Sequence, residues 1–96
     1  MAHRIYKYPL PSLVTNDITF HALELPFSAR ILNVLMHDGR PVLYAFVDTE
    51  APLVRRYFGI YGIGWDIPPD PGQYIGTVHM DHGNLVWNIF EVTTPC

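Results

Sequence analysis

Residues 29–48, ARILNVLMHDGRPVLYAFVD, decide the fold. Two nearly continuous apolar runs, Ala29–His37 and Pro41–Asp48, lie on either side of Asp38 and Gly39. Both residues of an Asp-Gly pair tolerate a positive φ, which the tight turn of a β-hairpin requires. We therefore predict that the two runs form neighbouring antiparallel strands.

The same pattern continues outward in both directions. Short segments with β-branched and aromatic residues, bounded by proline, glycine, asparagine or aspartate, predict further strands. They are Arg4–Tyr8, Ile18–Leu25, Val54–Tyr61, Gln73–Met80 and Leu85–Val92, the last two joined by the turn-forming residues 81–84. About seven short antiparallel strands, roughly 8 to 12 residues apart, are typical of an all-β sandwich or barrel. We expect residues 1–96 to form one such domain.

The composition predicts a protein that associates. Hydrophobic residues make up 49% of the 96 residues and charged residues only 16%, where about 25% is usual. So small a domain with so few charges leaves apolar surface to be covered, and self-association or a partner is the ordinary way to cover it. We expect a homo-oligomer.

Charge and cysteine content limit the partners and the compartment. The formal net charge is −3 and the six basic residues are scattered, so no stripe exists for the backbone of a long nucleic acid. The lone cysteine, Cys96, cannot form a disulfide within the chain. No apolar run resembles a signal peptide or approaches a membrane span. These features favour a soluble protein of the bacterial cytoplasm, with no membrane partner.

The irregular segment 62–72 (GIGWDIPPDPG) is the longest predicted loop. Its prolines exclude it from the centre of a sheet, and long loops in compact domains are often functional. Trp65 stands in its middle and has two interpretations. It folds back as a lid over one end of the sandwich, as large aromatic residues usually do, or it is an exposed anchor for a partner.

Arg55, Tyr57 and Tyr61 alternate along the predicted fifth strand and so share one face. A guanidinium beside phenol rings can hold a phosphate group or stack on a nucleobase. The simpler interpretation is an exposed face on which Arg55 lies over its aromatic neighbours. We include the three residues in the candidate site, for a small anionic ligand or a protein partner.

His79-Met80-Asp81-His82 combines two imidazoles with a carboxylate, which are common metal ligands. In a strand, however, His79 points to the same side as Ile75 and Thr77, whereas Asp81 and His82 fall in the predicted turn. The spacing does not bring these groups to one ion, and we predict no metal site. His79 and His82 stay in the candidate site as ligand- or partner-binding residues.

The sequence offers no set of residues for nucleophilic catalysis. Cys96 lies at the end of the sequence, and neither Ser12 nor Ser28 stands in a nucleophile elbow with a nearby base. We therefore expect a protein that is not an enzyme and that needs no cofactor.

Three stretches resemble a known family. They are Arg4–Leu10 (RIYKYPL), Arg56–Gly62 (RYFGIYG) and the closing YIGT and LVWNIFE of residues 74–77 and 85–91. Together they are similar to a family of small uncharacterised bacteriophage and prophage proteins, over nearly the whole chain. The resemblance implies a phage or prophage origin and transfers no catalytic residue, because the shared stretches are framework.

Three functions follow as hypotheses. The first is a non-enzymatic accessory protein that binds a host protein or sequesters a host defence signal molecule. The second is a virion or assembly protein that forms a symmetric oligomer through strand edges and aromatic residues. The third is a metal-dependent hydrolase.

Overall fold

The computed structural model describes residues 2–10, 19–80 and 85–92. These residues form seven strands and no helix, which confirms the predicted all-β class. The strands are β1 (His3–Pro9), β2 (Thr19–Pro26), β3 (Arg30–His37), β4 (Arg40–Asp48), β5 (Leu53–Gly62), β6 (Gln73–Met80) and β7 (Leu85–Val92). In the described part of the chain no helix is long and apolar enough to cross a bilayer.

The strands divide into two antiparallel sheets. One sheet has the order β1-β4-β3 and the other the order β2-β5-β7-β6. The chain therefore changes sheet from β1 to β2, from β2 to β3 and from β4 to β5. Of the two predicted architectures, the separate sheets fit a sandwich.

The Asp38-Gly39 turn joins β3 to β4 as predicted. Asp38 has a φ of 51° and Gly39 a φ of 79°, and His37 is in register with Arg40 across the turn. The left-handed backbone suits glycine, which has no Cβ, and aspartate tolerates it. The apolar runs on either side therefore become one hairpin.

The core lies between the sheets and is built from alternate strand positions. All of its members are at most 6% exposed. Burial of each of the larger side chains stabilises the fold by about 1.5 to 3 kcal/mol. Central contributions are Leu43, Ala45 and Val47 of β4, Phe58 and Ile60 of β5, and Trp87 and Ile89 of β7. No polar residue of the described chain is buried among them.

An ion pair between neighbouring strands of the larger sheet also reaches the smaller one. The guanidinium of Arg56 on β5 donates to both carboxylate oxygens of Glu91 on β7. Its remaining terminal nitrogen donates to the carbonyl of Ala29, 2.6 Å away and immediately before β3. Arg56 therefore ties the larger sheet to the start of β3 in the smaller one.

The predicted loop returns along the larger sheet. Gly62, at the end of β5, is in register with Trp87, and Gln73, at the start of β6, is in register with Glu91. The connection therefore travels back along about four residues of β7, roughly 13 Å. Its prolines keep it out of the sheet, as the sequence predicts.

A bulge in β6 changes which side chains point outward. The register with β7 shifts between Tyr74 and Gly76, and Ile75 packs against the core. The expectation that Ile75 shares a face with Thr77 and His79 is therefore wrong. The extra residue of the bulge puts Tyr74 on that face instead.

Candidate functional site

An aromatic row crosses all four strands of the larger sheet on its outer face, the side turned away from the smaller sheet. Phe20 of β2 is in register with Gly59 of β5, Gly59 with Phe90 of β7, and Phe90 with Tyr74 of β6. Side chains of directly paired residues lie on the same face. Phe20, Phe90 and Tyr74 therefore form one line across the strands, with a gap at the glycine.

Tyr61 fills the gap that Gly59 leaves. Its ring contacts Phe20 and Phe90 edge to face, with centroids 6.4 and 5.4 Å away, and Phe90 contacts Tyr74 in the same way at 5.4 Å. A Cβ on Gly59 would lie 3.0 Å from the Tyr61 hydroxyl oxygen. Glycine thus leaves room for the Tyr61 ring, and the aromatic row consists of Phe20, Tyr61, Phe90 and Tyr74.

Burial differs sharply along the aromatic row. Tyr61 is 2% exposed, whereas Phe20 and Tyr74 at the two ends are 47% and 55% exposed. The Tyr61 hydroxyl donates to the carbonyl of Pro71, 3.3 Å away in the returning loop. Burial raises the pKa of the Tyr61 phenol, because a phenolate loses its hydration there. Tyr61 is thus the anchored centre, and the two ends face solvent.

A chain of hydrogen bonds fixes the exposed end at Tyr74. The Thr77 hydroxyl donates to Oδ1 of Asn88 at 2.9 Å, so its bond with the Tyr74 hydroxyl has Tyr74 as the donor. The amide nitrogen of Asn88 then donates to the Tyr61 carbonyl at 3.2 Å. Tyr74 therefore presents an exposed ring whose hydroxyl end is held in place.

Four of the six predicted site residues share the outer face with the aromatic row. Arg55, Tyr57 and Tyr61 alternate along β5, and His79 follows Thr77 along β6. Arg55 is exposed and lies 3.8 Å from the carboxylate of Glu24, its partner in register on β2. Tyr57 is half-buried and His79 is exposed.

The expected stacking of Arg55 on tyrosine rings is not what the described residues show. The guanidinium that lies over a ring there belongs to Arg30, 5.5 Å from the centroid of Phe46 on the smaller sheet. Arg55 turns toward Glu24 instead, because an exposed carboxylate stands directly opposite it on the neighbouring strand.

Trp65 lies away from this face, at the end of the sandwich. Its ring meets the buried ring of Trp87 edge to face, with centroids 5.5 Å apart, and it packs against the core while staying half-buried. A Cβ on Gly62 would lie 2.5 Å from the Trp65 ring, so glycine permits this close approach. The position matches the lid interpretation, and a role for Trp65 in partner binding stays a prediction.

The histidine string is only partly described. His79 lies on β6, whereas Asp81 and His82 lie outside the described residues. Within residues 2–10, 19–80 and 85–92, no three histidine, cysteine or acidic side chains converge as metal ligands do. The ligand-binding role predicted for His79 and His82 stays a prediction.

Sequence reasoning missed Phe20, Tyr74 and Phe90 as members of the site. Alternation along β2 already separates Phe20 from His21, so one face of that strand was predictable. The three rings come together on one face only because β2 pairs with β5 and β5 pairs with β7, and because the bulge turns Tyr74 outward. No local pattern marks any of these.

Comparison with known protein families finds a match over nearly the whole chain. A family described as a domain of unknown function (DUF7352) matches residues 1–95. No curated protein and no solved structure matches the chain.

Proposed function

The chain belongs to the DUF7352 family, a domain of unknown function, and we propose that it is a small, non-enzymatic binding protein. In this proposal it is a phage or prophage accessory protein that acts in the bacterial cytoplasm. It engages a host protein through the outer face of its larger sheet.

The aromatic row is the observation that carries this proposal. Phe20 and Tyr74 expose large rings at its two ends, and aromatic residues are enriched among those that dominate protein interfaces. Tyr61 at the centre and the hydrogen bonds of Tyr74 hold the rings before any partner arrives. A surface ordered in advance loses less entropy on binding.

The charges of the face favour a protein partner over an anionic ligand. Arg55 is a cation of this face, and the Glu24 carboxylate lies 3.8 Å from it. A phosphate group arriving at Arg55 would meet that carboxylate as well. A protein surface needs no excess of positive charge, because interface cores are depleted of charge.

Crosslinking in the bacterial host tests the proposal. The double variant Phe20→Ser, Tyr74→Ser removes the two exposed rings of the row. The double variant Leu32→Ser, Leu35→Ser is the matched control, since these leucines are 45% and 49% exposed on β3 of the other sheet. We expect the wild type and the control to crosslink to the same host protein and the row variant to lose it. Loss in the control alone, or in neither variant, contradicts the proposal.

Native mass spectrometry of the purified protein tests for a small anionic ligand instead. A mass excess that disappears in Arg55→Gln and persists in the row variant assigns the face to a sequestered signal molecule. A mass equal to the bare chain or to its oligomer leaves the protein partner as the better account.

A structural role as a symmetric oligomer is the second candidate. Ile5, Leu35 and Phe46 of the smaller sheet are 60%, 49% and 39% exposed, which leaves apolar surface for a second copy. Sedimentation that shows a monomer over a wide concentration range contradicts this role. A metal-dependent hydrolase has no support among the described residues, and metal analysis of the purified protein tests it.

A further inference from the structure

Strand β1 forms one edge of the smaller sheet. It pairs with β4 over its whole length, from His3 opposite Asp48 to Pro9 opposite Val42. On its other side, the described part of the chain places no strand. All of its side chains are exposed except that of Tyr8, which is half-buried.

The backbone groups on that free side follow from the pairing with β4. Leu10 donates to the carbonyl of Pro41, and Thr49 donates to that of Ala2. Because hydrogen-bonded pairs alternate along an antiparallel ladder, the backbone N–H and C=O groups of the even-numbered residues of β1 point toward β4. The N–H groups of His3, Ile5 and Lys7 therefore point away from the sheet, where a further strand would lie.

The other side of the sandwich is built differently. Its edges are β3 and β6, and both carry a register shift, between Ile31 and Asn33 and between Tyr74 and Gly76. A bulge interrupts the row of free backbone groups and hinders strand addition. The ladder of β1 has no such shift, so its edge is a regular template.

The charge of β1 determines which kind of added strand its free edge favours. The strand holds two permanent cations, Arg4 and Lys7, and no acidic residue, although the whole chain has a formal net charge of −3. Among the described residues, neither cation takes part in an ion pair. Beside Lys7 a cleft adds a further cation, Arg40, together with His37 and Asp38, whose side chains lie 3.4 Å apart.

A second copy of this chain is a poor occupant for the same reason. Arg4 and Lys7 lie on opposite faces of β1, since side chains alternate along its regular ladder. Antiparallel pairing of two β1 strands adds a second set of cations to each face with no acidic residue of β1 to balance them, and like charges near each other are destabilising. A strand with acidic side chains places carboxylates near these cations instead.

We propose that the free edge of β1 binds an acidic, extended segment of a partner protein as an added strand. Main-chain hydrogen bonds to His3, Ile5 and Lys7 supply affinity, and Arg4 and Lys7 select acidic side chains. This site lies on the other sheet from the aromatic row and does not depend on the function proposed for that row.

Two synthetic peptides test charge selection. Each has about eight residues, a usual strand length. Pairs of threonine alternate with pairs of glutamate in one peptide and with pairs of lysine in the other, so that the charges lie on both faces of the added strand. Fluorescence anisotropy at low salt should show the wild-type protein binding the glutamate peptide at least about tenfold more tightly. Lys7→Glu should remove this preference. Equal binding of both peptides by the wild type overturns the proposal.

Two variants at one position test strand addition. Ile5→Pro removes an outward N–H and leaves the hydrogen bonds to β4 in place, as proline at a sheet edge can. Ile5→Val keeps the N–H and is the matched control. We expect Ile5→Pro to weaken binding of the glutamate peptide about tenfold, the equivalent of one lost hydrogen bond to a bound strand. Unchanged binding by a folded Ile5→Pro overturns the proposal.

Amide hydrogen exchange of the wild-type protein decides the matter if Ile5→Pro does not fold. The glutamate peptide should slow exchange at Ile5 and Lys7, and unchanged exchange there overturns the proposal. The Phe20→Ser, Tyr74→Ser variant should bind the peptide as the wild type does, so failure of the aromatic face and failure of this edge are distinguishable. A dimer that Ile5→Pro dissociates would assign the edge to a second copy and overturn the acidic partner.

Discussion

The guanidinium of Arg56 holds both oxygens of the Glu91 carboxylate, with Nε 2.6 Å from Oε2 and Nη2 2.7 Å from Oε1. The two side chains are 20% and 21% exposed, so water screens them only in part. Paired N–H donors of this geometry are the strongest form of an arginine-carboxylate contact. Since Arg56 also binds the Ala29 carbonyl, the pair holds the end of β7 and the start of β3 relative to β5.

Glu91→Gln should destabilise the protein by about 1 to 3 kcal/mol, because it leaves a mostly buried guanidinium without its counter-charge. Urea unfolding measures the loss as a lower midpoint with an unchanged slope. Glu24→Gln is the matched control, since Glu24 and its partner Arg55 are 59% and 62% exposed. It should change stability by less than about 0.5 kcal/mol. Equal losses in both variants would contradict a special role for the Arg56 pair.

Two tyrosines of the aromatic row should respond differently to truncation. Tyr61→Ala should cost about 3 kcal/mol of unfolding free energy, since it empties a buried site, whereas Tyr74→Ala at the exposed end should cost less than about 1 kcal/mol. Tyr61→Phe, which removes only the hydroxyl bonded to Pro71, should cost about 1 kcal/mol. Thermal or urea unfolding measures all three, and a larger loss in Tyr74→Ala than in Tyr61→Ala would refute the assigned burial.

Removal of Trp65 should expose Trp87. In Trp65→Ala the only remaining indole is that of Trp87, which is 5% exposed in the intact protein. Its fluorescence should shift to longer wavelength and become accessible to acrylamide, because the ring that covers it is gone. Ile67→Ala, in the same loop and 45% exposed in the native protein, should leave quenching unchanged. A Trp87 that stays shielded in Trp65→Ala would show that Trp65 is not its lid.

His21 should make stability depend on pH in the weakly acidic range. It is half-buried opposite the core residue Phe58, and burial lowers its pKa because the imidazolium loses hydration. The unfolded chain, with a pKa of about 6.5, therefore binds a proton first. Stability due to neutral His21 is full above that value and falls as the pH drops toward the lowered pKa of the folded state.

His21→Gln should flatten this dependence, and His79→Gln, at an exposed position, should not. Urea midpoints between pH 7 and pH 5 for the wild type and both variants measure the difference. Parallel pH profiles for the wild type and His21→Gln would show that His21 does not carry the effect.

Local signals account for the strands and not for their arrangement. Asp38-Gly39 and the apolar runs beside it predict a hairpin because a turn and its two flanks are neighbours in sequence. Strand β5 lies between β2 and β7, which are far from it along the chain, and no residue pattern within β5 predicts either partner. The sequence does not predict the bulge at Tyr74 either, since alternation alone predicts that the Ile75 side chain points outward.

The candidate site divides in the same way. Arg55, Tyr57 and Tyr61 were predictable as one face because they alternate on one strand. Phe20 and Phe90 join them only through the register of three strands, which passes through Gly59. The Arg56 and Glu91 pair is separated by 35 residues, and a sequence with nine acidic and six basic residues offers many other pairings.

During synthesis of the chain, β1 cannot pair with β4 until β4 has been made. Of the seven strands, β1 leaves the ribosome first, yet its partner ends at Asp48, so it emerges long before that partner is complete. During that interval both of its edges are open to other nascent chains. Repulsion by Arg4 and Lys7 works against pairing with the same strand of a neighbouring polypeptide, and thus protects the chain at the stage when aggregation is most probable.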